Sequence, residues 1–141
     1  MDNRPIGVFD SGLGGLTGVR ELRKRLPNEN IVYFGDTGRV PYGSRSPETI
    51  LQYARQDIAF LPSKDVKCIM PACGTASITY PAAAAAKLPV PYLAVVDVAA
   101  RDAALVTRNR RIGLIGTAAP LRYRIHQTGL RNPDPGAAIT H

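Results

Sequence analysis

Short apolar runs alternate along the chain with stretches in which apolar residues return every three or four positions. Ile6-Gly7-Val8-Phe9 predicts a strand ending at Asp10-Ser11-Gly12. Beyond the glycines, Leu16, Val19, Leu22 and Leu26 share one helical face, with arginines on the other side. Ile31 to Phe34 predicts a second strand, closed by Gly35-Asp36, and a polar loop with glycine and proline runs from Thr37 to Arg45. Ser46 then has the features of an N-cap, with Pro47 at the first helical position and Ile50, Ala54, Ile58 and Leu61 along one face. Val66 to Ala72 predicts a third strand before Cys73-Gly74-Thr75, followed by an alanine-rich helix interrupted near Pro81. Tyr92 to Val96 predicts a fourth strand, Val98 to Thr107 a helix, and Ile112 to Ile115 a fifth strand ending in Gly116-Thr117. A last helix is expected from near Pro120, and the Asn-Pro-Asp-Pro-Gly stretch after Arg131 reads as a turn or frayed tail.

Strands alternating with helices imply an α/β fold, an open parallel sheet with helices on both faces. In such sheets ligands bind at the carboxyl ends of the strands. Asp10-Ser11, Asp36, Cys73-Gly74-Thr75, Asp97 and Thr117 each follow a predicted strand. The expected topology therefore gathers them on one rim, mostly beside helix N-termini whose N–H groups can hold a carboxylate.

Composition changes this picture little. The 141 residues are 45% hydrophobic and 21% charged, as in an ordinary globular protein. No apolar run reaches the ~20 residues of a membrane span, and the Met1-Asp2-Asn3-Arg4-Pro5 start lacks a secretory layout, so a cytoplasmic location is expected. Charge is uneven: residues 101–141 hold 7 arginines against 2 aspartates. Those arginines are scattered, without interleaved aromatics or a recognisable motif, which argues against a nucleic-acid partner.

Two chemical motifs compete for the rim. Gly12-Leu13-Gly14-Gly15-Leu16-Thr17 suggests a dinucleotide fingerprint, but Thr17 stands where the last glycine belongs, and the Walker Gly-Lys-Ser/Thr pattern is absent. No cofactor is expected. Cys73 sits at a strand end ahead of a helix, where backbone N–H groups favour thiolate; a buried structural cysteine is the competing reading. Cys68 lies mid-strand and reads as core filling. Five residues of strand span ~16 Å and an odd offset turns the two side chains to opposite faces, so the two cysteines cannot flank one small substrate. His126 and His141 have no partner at metal-ligand spacing, and no metal is expected.

Six segments in order resemble glutamate racemase of the aspartate/glutamate racemase superfamily. They are Ile6 to Thr17, Tyr33 to Thr37, Val40 to Ser44, Ala72 to Ser77, Val95 to Asp97 and Ile112 to Thr117. The resemblance implies a cofactor-independent isomerase that interconverts L- and D-glutamate for peptidoglycan synthesis. One cysteine removes the α-proton and a second, on the opposite face, returns one. By position, Cys73 resembles the first catalytic cysteine, with Asp10 assisting the thiol or the substrate ammonium. Asp10, Ser11, Pro41, Tyr42, Gly43, Gly74, Thr75 and Thr117 resemble substrate-binding positions. The implied partner is the small-molecule substrate, with a homo-oligomer possible and no membrane.

The sequence also departs from the family. The second cysteine belongs to a later Cys-Thr-His segment that these residues do not contain. Gly74 replaces a usual Asn, Pro71 stands where an apolar strand residue is usual, and Gly18 weakens a helix by ~1 kcal/mol relative to Ala. The resemblance implies a first lobe over 1–97, incomplete without a later return of the chain, and the start of a second over 98–141. An inactive truncated remnant that binds an amino acid or a partner chain is the alternative expectation.

Overall fold

The computed structural model describes residues 2–109, 111–113, 116–117 and 138–140. Strand β1 (Ile6–Asp10) is buried along its whole length, because it is the middle strand of a parallel sheet. Helix α1 (Leu16–Arg25) leads to β2 (Ile31–Gly35). Helix α2 (Pro47–Phe60) and a 3-10 turn (Leu61–Lys64) lead to β3 (Cys68–Pro71). The order is β2-β1-β3, with Ile6 opposite Ile31 on one side and Cys68 on the other. The chain thus moves from β1 to one side and then crosses to the other. Right-handed crossovers place α1 and α2 on opposite faces.

The α2 face carries the main core. Ile50, Ala54, Ile58 and Leu61, the predicted helical face, are all buried against Phe9, Val66 and Ile69. Ser46 caps this helix by accepting from the Thr49 N–H at 3.3 Å, with Pro47 in the first turn. The α1 face is thinner. That helix buries none of its residues, and Leu16 and Leu26 remain exposed.

After β3 come α3 (Gly74–Thr79), α4 (Ala82–Ala85) and α5 (Val95–Val106), with the break at Pro81 as expected. The predicted fourth strand, Tyr92 to Val96, does not form. Tyr92 makes a single bridge to Ile69, held by Ile69 N–H to Pro91 O and Leu93 N–H to Ile69 O, and the helix begins at Val95. The next bond of that ladder would need an N–H from residue 71, which is Pro71. The same proline does not harm the inner ladder, because Ala72 supplies the N–H that reaches Phe9 O at 2.8 Å. Asp97 accordingly lies in the first turn of α5, not after a strand.

Of the predicted fifth strand, Ile112 and Gly113 lie in β4 (Arg111–Gly113), and residues 114–115 lie outside the described residues. Strand β4 pairs in parallel with β5 (Ala138–Thr140) in a separate two-stranded sheet. The expected helix near Pro120 and the turn after Arg131 lie outside the described residues.

Candidate active site

Strand order 2-1-3 creates a switch point at the carboxyl ends of β1 and β3, where neighbouring crossovers leave in opposite directions and open a crevice. Asp10-Ser11 ends one of these strands and Cys73 follows the other. The fold therefore brings together the residues that carried the sequence reading.

Asp10 is buried, and its carboxylate accepts the Gly15 N–H at 2.9 Å. That contact requires glycine. A Cβ on Gly15 would lie 2.7 Å from the Asp10 Cβ and 2.8 Å from the Ala72 Cβ, distances that carbon atoms do not tolerate. Tyr33 closes the turn from below, its hydroxyl donating to Gly12 O at 2.7 Å. Burial, then the nearby charges of Asp10 and Cys73, push its phenol up to about 12, so it remains a donor.

Cys73 is the N-cap of α3 and only 6% exposed. Its Sγ accepts the Ala76 N–H at 3.4 Å and lies 3.4 Å from the Ser11 Oγ, to which the thiol can donate. Both contacts suit a sulfur that gains and loses a proton in place: the N–H serves the thiolate, and the hydroxyl accepts from the thiol. Cys68 sits at the other end of β3, opposite Ile6, and burial raises its thiol above the usual range.

A second arm of the site is the loop from Asp36 to Arg45. Thr75 and Thr117 place their hydroxyls 3.2 Å apart, and a Cβ on Gly43 would come within 2.6 Å of the Thr117 Cγ2. Gly43, Thr75 and Thr117 therefore meet. Pro41, after a cis peptide bond, and Tyr42 lead the chain into this contact. Among the described residues, no backbone N–H from Val40 to Ser44 reaches a backbone carbonyl, so those of Tyr42, Gly43 and Ser44 are available to a ligand. The Tyr42 side chain turns away. It is 1% exposed, and its hydroxyl contacts the carboxylates of Asp36 and Asp57, the latter at 2.7 Å. Position 42 can offer a ligand only its backbone. Gly74 is roomy: a Cβ there would meet only Val96, at 4.0 Å.

A cavity of about 670 Å³ lies elsewhere, behind α3, lined by Tyr80, Ala85, Tyr92 and Asp97 among others. None of Asp10, Ser11, Pro41, Tyr42, Gly43, Cys73, Gly74, Thr75 and Thr117 lines it. Asp97, expected on the rim, faces this cavity instead. The Tyr92 hydroxyl there is buried and has no partner among the described residues.

No protein-family model matches the chain. A glutamate racemase from Geobacter metallireducens is 43% identical over 139 residues, which is 99% of this chain and 52% of that protein. One from Syntrophus aciditrophicus is 54% identical over 135 residues, 96% of this chain and 50% of that protein. The crystal structure of a glutamate racemase isoform from Bacillus anthracis superposes with a TM-score of 0.93 at 35% identity, over 99% of this chain and 52% of that one. This chain is related along its length to the N-terminal half of the glutamate racemases. It spans about half the length of the curated relatives it matches. A glutamate racemase from Francisella tularensis, solved in complex with D-glutamate, matches with a TM-score of 0.87 at 38% identity, over 99% of this chain and 52% of that one.

Sequence reasoning missed Tyr33 and the Arg39–Asp57 pair. Tyr33 lies on a strand rich in apolar residues and gave no separate signal. Asp57 stands at a core position of α2, beside Ile58 on the buried side, and a carboxylate there implies a buried partner. No helix among the described residues is long and apolar enough to cross a membrane. No group of three or more His, Cys, Asp or Glu side chains among them could hold a metal ion.

Proposed function

We propose that this chain provides one face of a glutamate racemase site, with Cys73 as the base and acid on that face. The observation that carries the reading is the Cys73 sulfur at the β1/β3 switch point, between the Ser11 hydroxyl and the Ala76 N–H. The relatives named for glutamate racemisation, one of them holding D-glutamate, support glutamate as the substrate.

The chemistry follows from the α-proton, which is a weak acid beside a carboxylate. Cys73 thiolate takes that proton, and the electron pair left on Cα delocalises into the carboxylate. Fixed donors around the crevice stabilise the developing charge. The backbone N–H groups of Tyr42, Gly43 and Ser44, with the Thr75 and Thr117 hydroxyls, are placed to hold carboxylate oxygens. Asp10 and Ser11 stand beside the sulfur, where they can receive the ammonium. An acid on the opposite face of Cα delivers a proton and inverts the centre. Cys68 does not fill that role from the far end of β3; the resemblance assigns it to a cysteine in a later segment. A cytoplasmic, peptidoglycan-related role accompanies the reading.

The test is incubation of the purified chain with L-glutamate in heavy water, following α-proton exchange and optical rotation together. Exchange that disappears in Cys73→Ala supports the role of Cys73. Exchange with L-configuration retained means that one face works alone, and racemisation means that a second acid is present. A folded chain that gives neither, yet binds glutamate, is the inactive binding remnant.

A further inference from the structure

Among the described residues, the segment from Val40 to Ser44 makes no backbone hydrogen bond to the sheet, yet its position sets where Gly43 meets Thr117. Something else must hold it. Beneath it lies a compact polar cluster. The Arg39 guanidinium reaches the Asp36 carboxylate at 2.7 Å and the Asp57 carboxylate at 2.8 Å, and it lies 4.4 Å over the Tyr53 ring. Arg39 also donates to the Gln56 side chain. The Tyr42 hydroxyl is wedged between the same two carboxylates, and its ring packs on Tyr53 at 5.4 Å. Asp36, Arg39 and Tyr42 belong to the loop; Tyr53, Gln56 and Asp57 belong to α2. The cluster joins the two.

We propose that Arg39 and Asp57 are positioning residues: with Tyr42 they clasp the 36–45 loop onto α2 and so hold the Gly43 backbone against Thr117. The inference rests on the reading above only for the purpose of the loop; the clasp itself is a statement about geometry.

A proton count adds a property. Tyr42 has one hydroxyl hydrogen and contacts two carboxylates, so it can donate to only one of them. Arg39 brings one positive charge against two negative ones. A single proton on Asp57 balances the charge and lets Asp57 donate to the Tyr42 oxygen while Tyr42 donates to Asp36. Burial raises Asp57 to about 6, against the pull of Tyr42 and Arg39. The charged and titratable groups that face it are Asp36, Arg39 and Tyr42 from the loop, with Gln56 and Tyr53 as the polar neighbours from its own helix. The clasp therefore holds its proton in mild acid and loses it near neutrality, and the loop should register the change.

The test uses the full 141-residue chain without ligand. The Asp57 carboxyl carbon and the Gly43 and Thr117 amides are followed by NMR through the titration of Asp57. The expected result is that both amides shift with the midpoint of Asp57, and that Asp57→Asn abolishes this shift. Tyr42→Phe removes only the hydroxyl; it should leave Asp57 titrating but uncouple Gly43, and it serves equally if Asp57→Asn does not fold. Gly43 and Thr117 amides that stay flat while Asp57 titrates overturn the proposal, as does a shift that survives both substitutions. In a parallel binding experiment, Arg39→Lys, which keeps the charge and loses the planar fork, is expected to weaken glutamate binding more near neutrality than in mild acid. Coupling without any glutamate exchange would leave the clasp standing and remove the racemase reading, so the two failures are distinguishable.

Discussion

Two loops flank Cys73, and they are held in opposite ways. The turn from Ser11 to Gly15 is held by what it lacks. Gly15 presses its backbone between Asp10 and Ala72, where no Cβ fits, and its N–H binds the Asp10 carboxylate. The loop from Asp36 to Arg45 is held by what it carries, a guanidinium, a phenol and a carboxylate interlocked with Asp57 of α2. Steric exclusion is local and insensitive to pH. A charge cluster depends on the ionisation of several distant residues. The site is thus rigid by two independent means, and each can be broken alone.

The largest effect is expected from Arg39→Met. It leaves the Asp36 and Asp57 carboxylates buried with no cation, and breaking such a pair from one side costs about 3 kcal/mol. Arg39 is itself partly exposed, which lets water relieve some of that cost. Urea unfolding at neutral pH should show the loss, and it should shrink in mild acid, where Asp57 takes a proton. A loss that does not vary with pH would mean that the guanidinium acts by packing rather than by charge.

Gly15→Ala tests the other loop. The added methyl meets two Cβ atoms fixed by β1 and by the residue after β3, so a strand must shift, at about 2 kcal/mol. Its effect should be the same at every pH. The two substitutions share no partner, so their costs should add in the double variant.

The parallel sheet, the α2 face and the rim positions after β1, β2 and β3 were legible in the sequence because each rests on local signals: apolar runs, a capping serine, proline at the first helical position. The Gly12–Gly15 turn was legible for the same reason, since glycine in a row has few uses. The clasp was not. Arg39 and Asp57 are 18 residues apart; Asp57 at a core position implies some buried partner, but nothing local names it, and only the crossover that lays α2 over the loop joins the two. Tyr42 shows the same limit in reverse. Its position belongs to the site, but its side chain belongs to the core, and a motif does not distinguish backbone from side chain. The fourth strand failed on a non-local cause as well, since the residue that ends it, Pro71, lies on the neighbouring strand.

Asp57→Asn isolates the charge contribution. The folded carboxyl sits at about 6, above the ordinary 3.8. The folded state therefore keeps a proton that the unfolded chain has already released between these values. Stability of the wild type relative to Asp57→Asn should fall as pH rises from about 4 to about 6 and stay flat on either side. The size of the fall is set by that shift, because each tenfold change in proton affinity is worth about 1.4 kcal/mol. The Asp57 side chain is wholly buried, so solvent screening does not erase it. Parallel pH profiles of the two proteins would show that the clasp carries no proton.

Gly18→Ala is the smallest change and the sharpest control on the glycine argument. Gly18 lies three residues past Gly15, inside α1. A Cβ there would meet Met70 Cε at 3.7 Å and Ala72 Cβ at 3.9 Å, ordinary contact distances. Nothing at this position requires glycine, and in a helix interior glycine costs up to about 1 kcal/mol relative to alanine. The substitution should therefore stabilise the chain by somewhat under that amount. It should also leave the Gly15 N–H contact with Asp10, and hence the Gly15 amide resonance, in place. If Gly18→Ala destabilised instead, α1 would have to sit closer to β3 than the Met70 and Ala72 contacts allow. The Gly15 clash would then reflect a crowded helix rather than a turn shaped around Asp10.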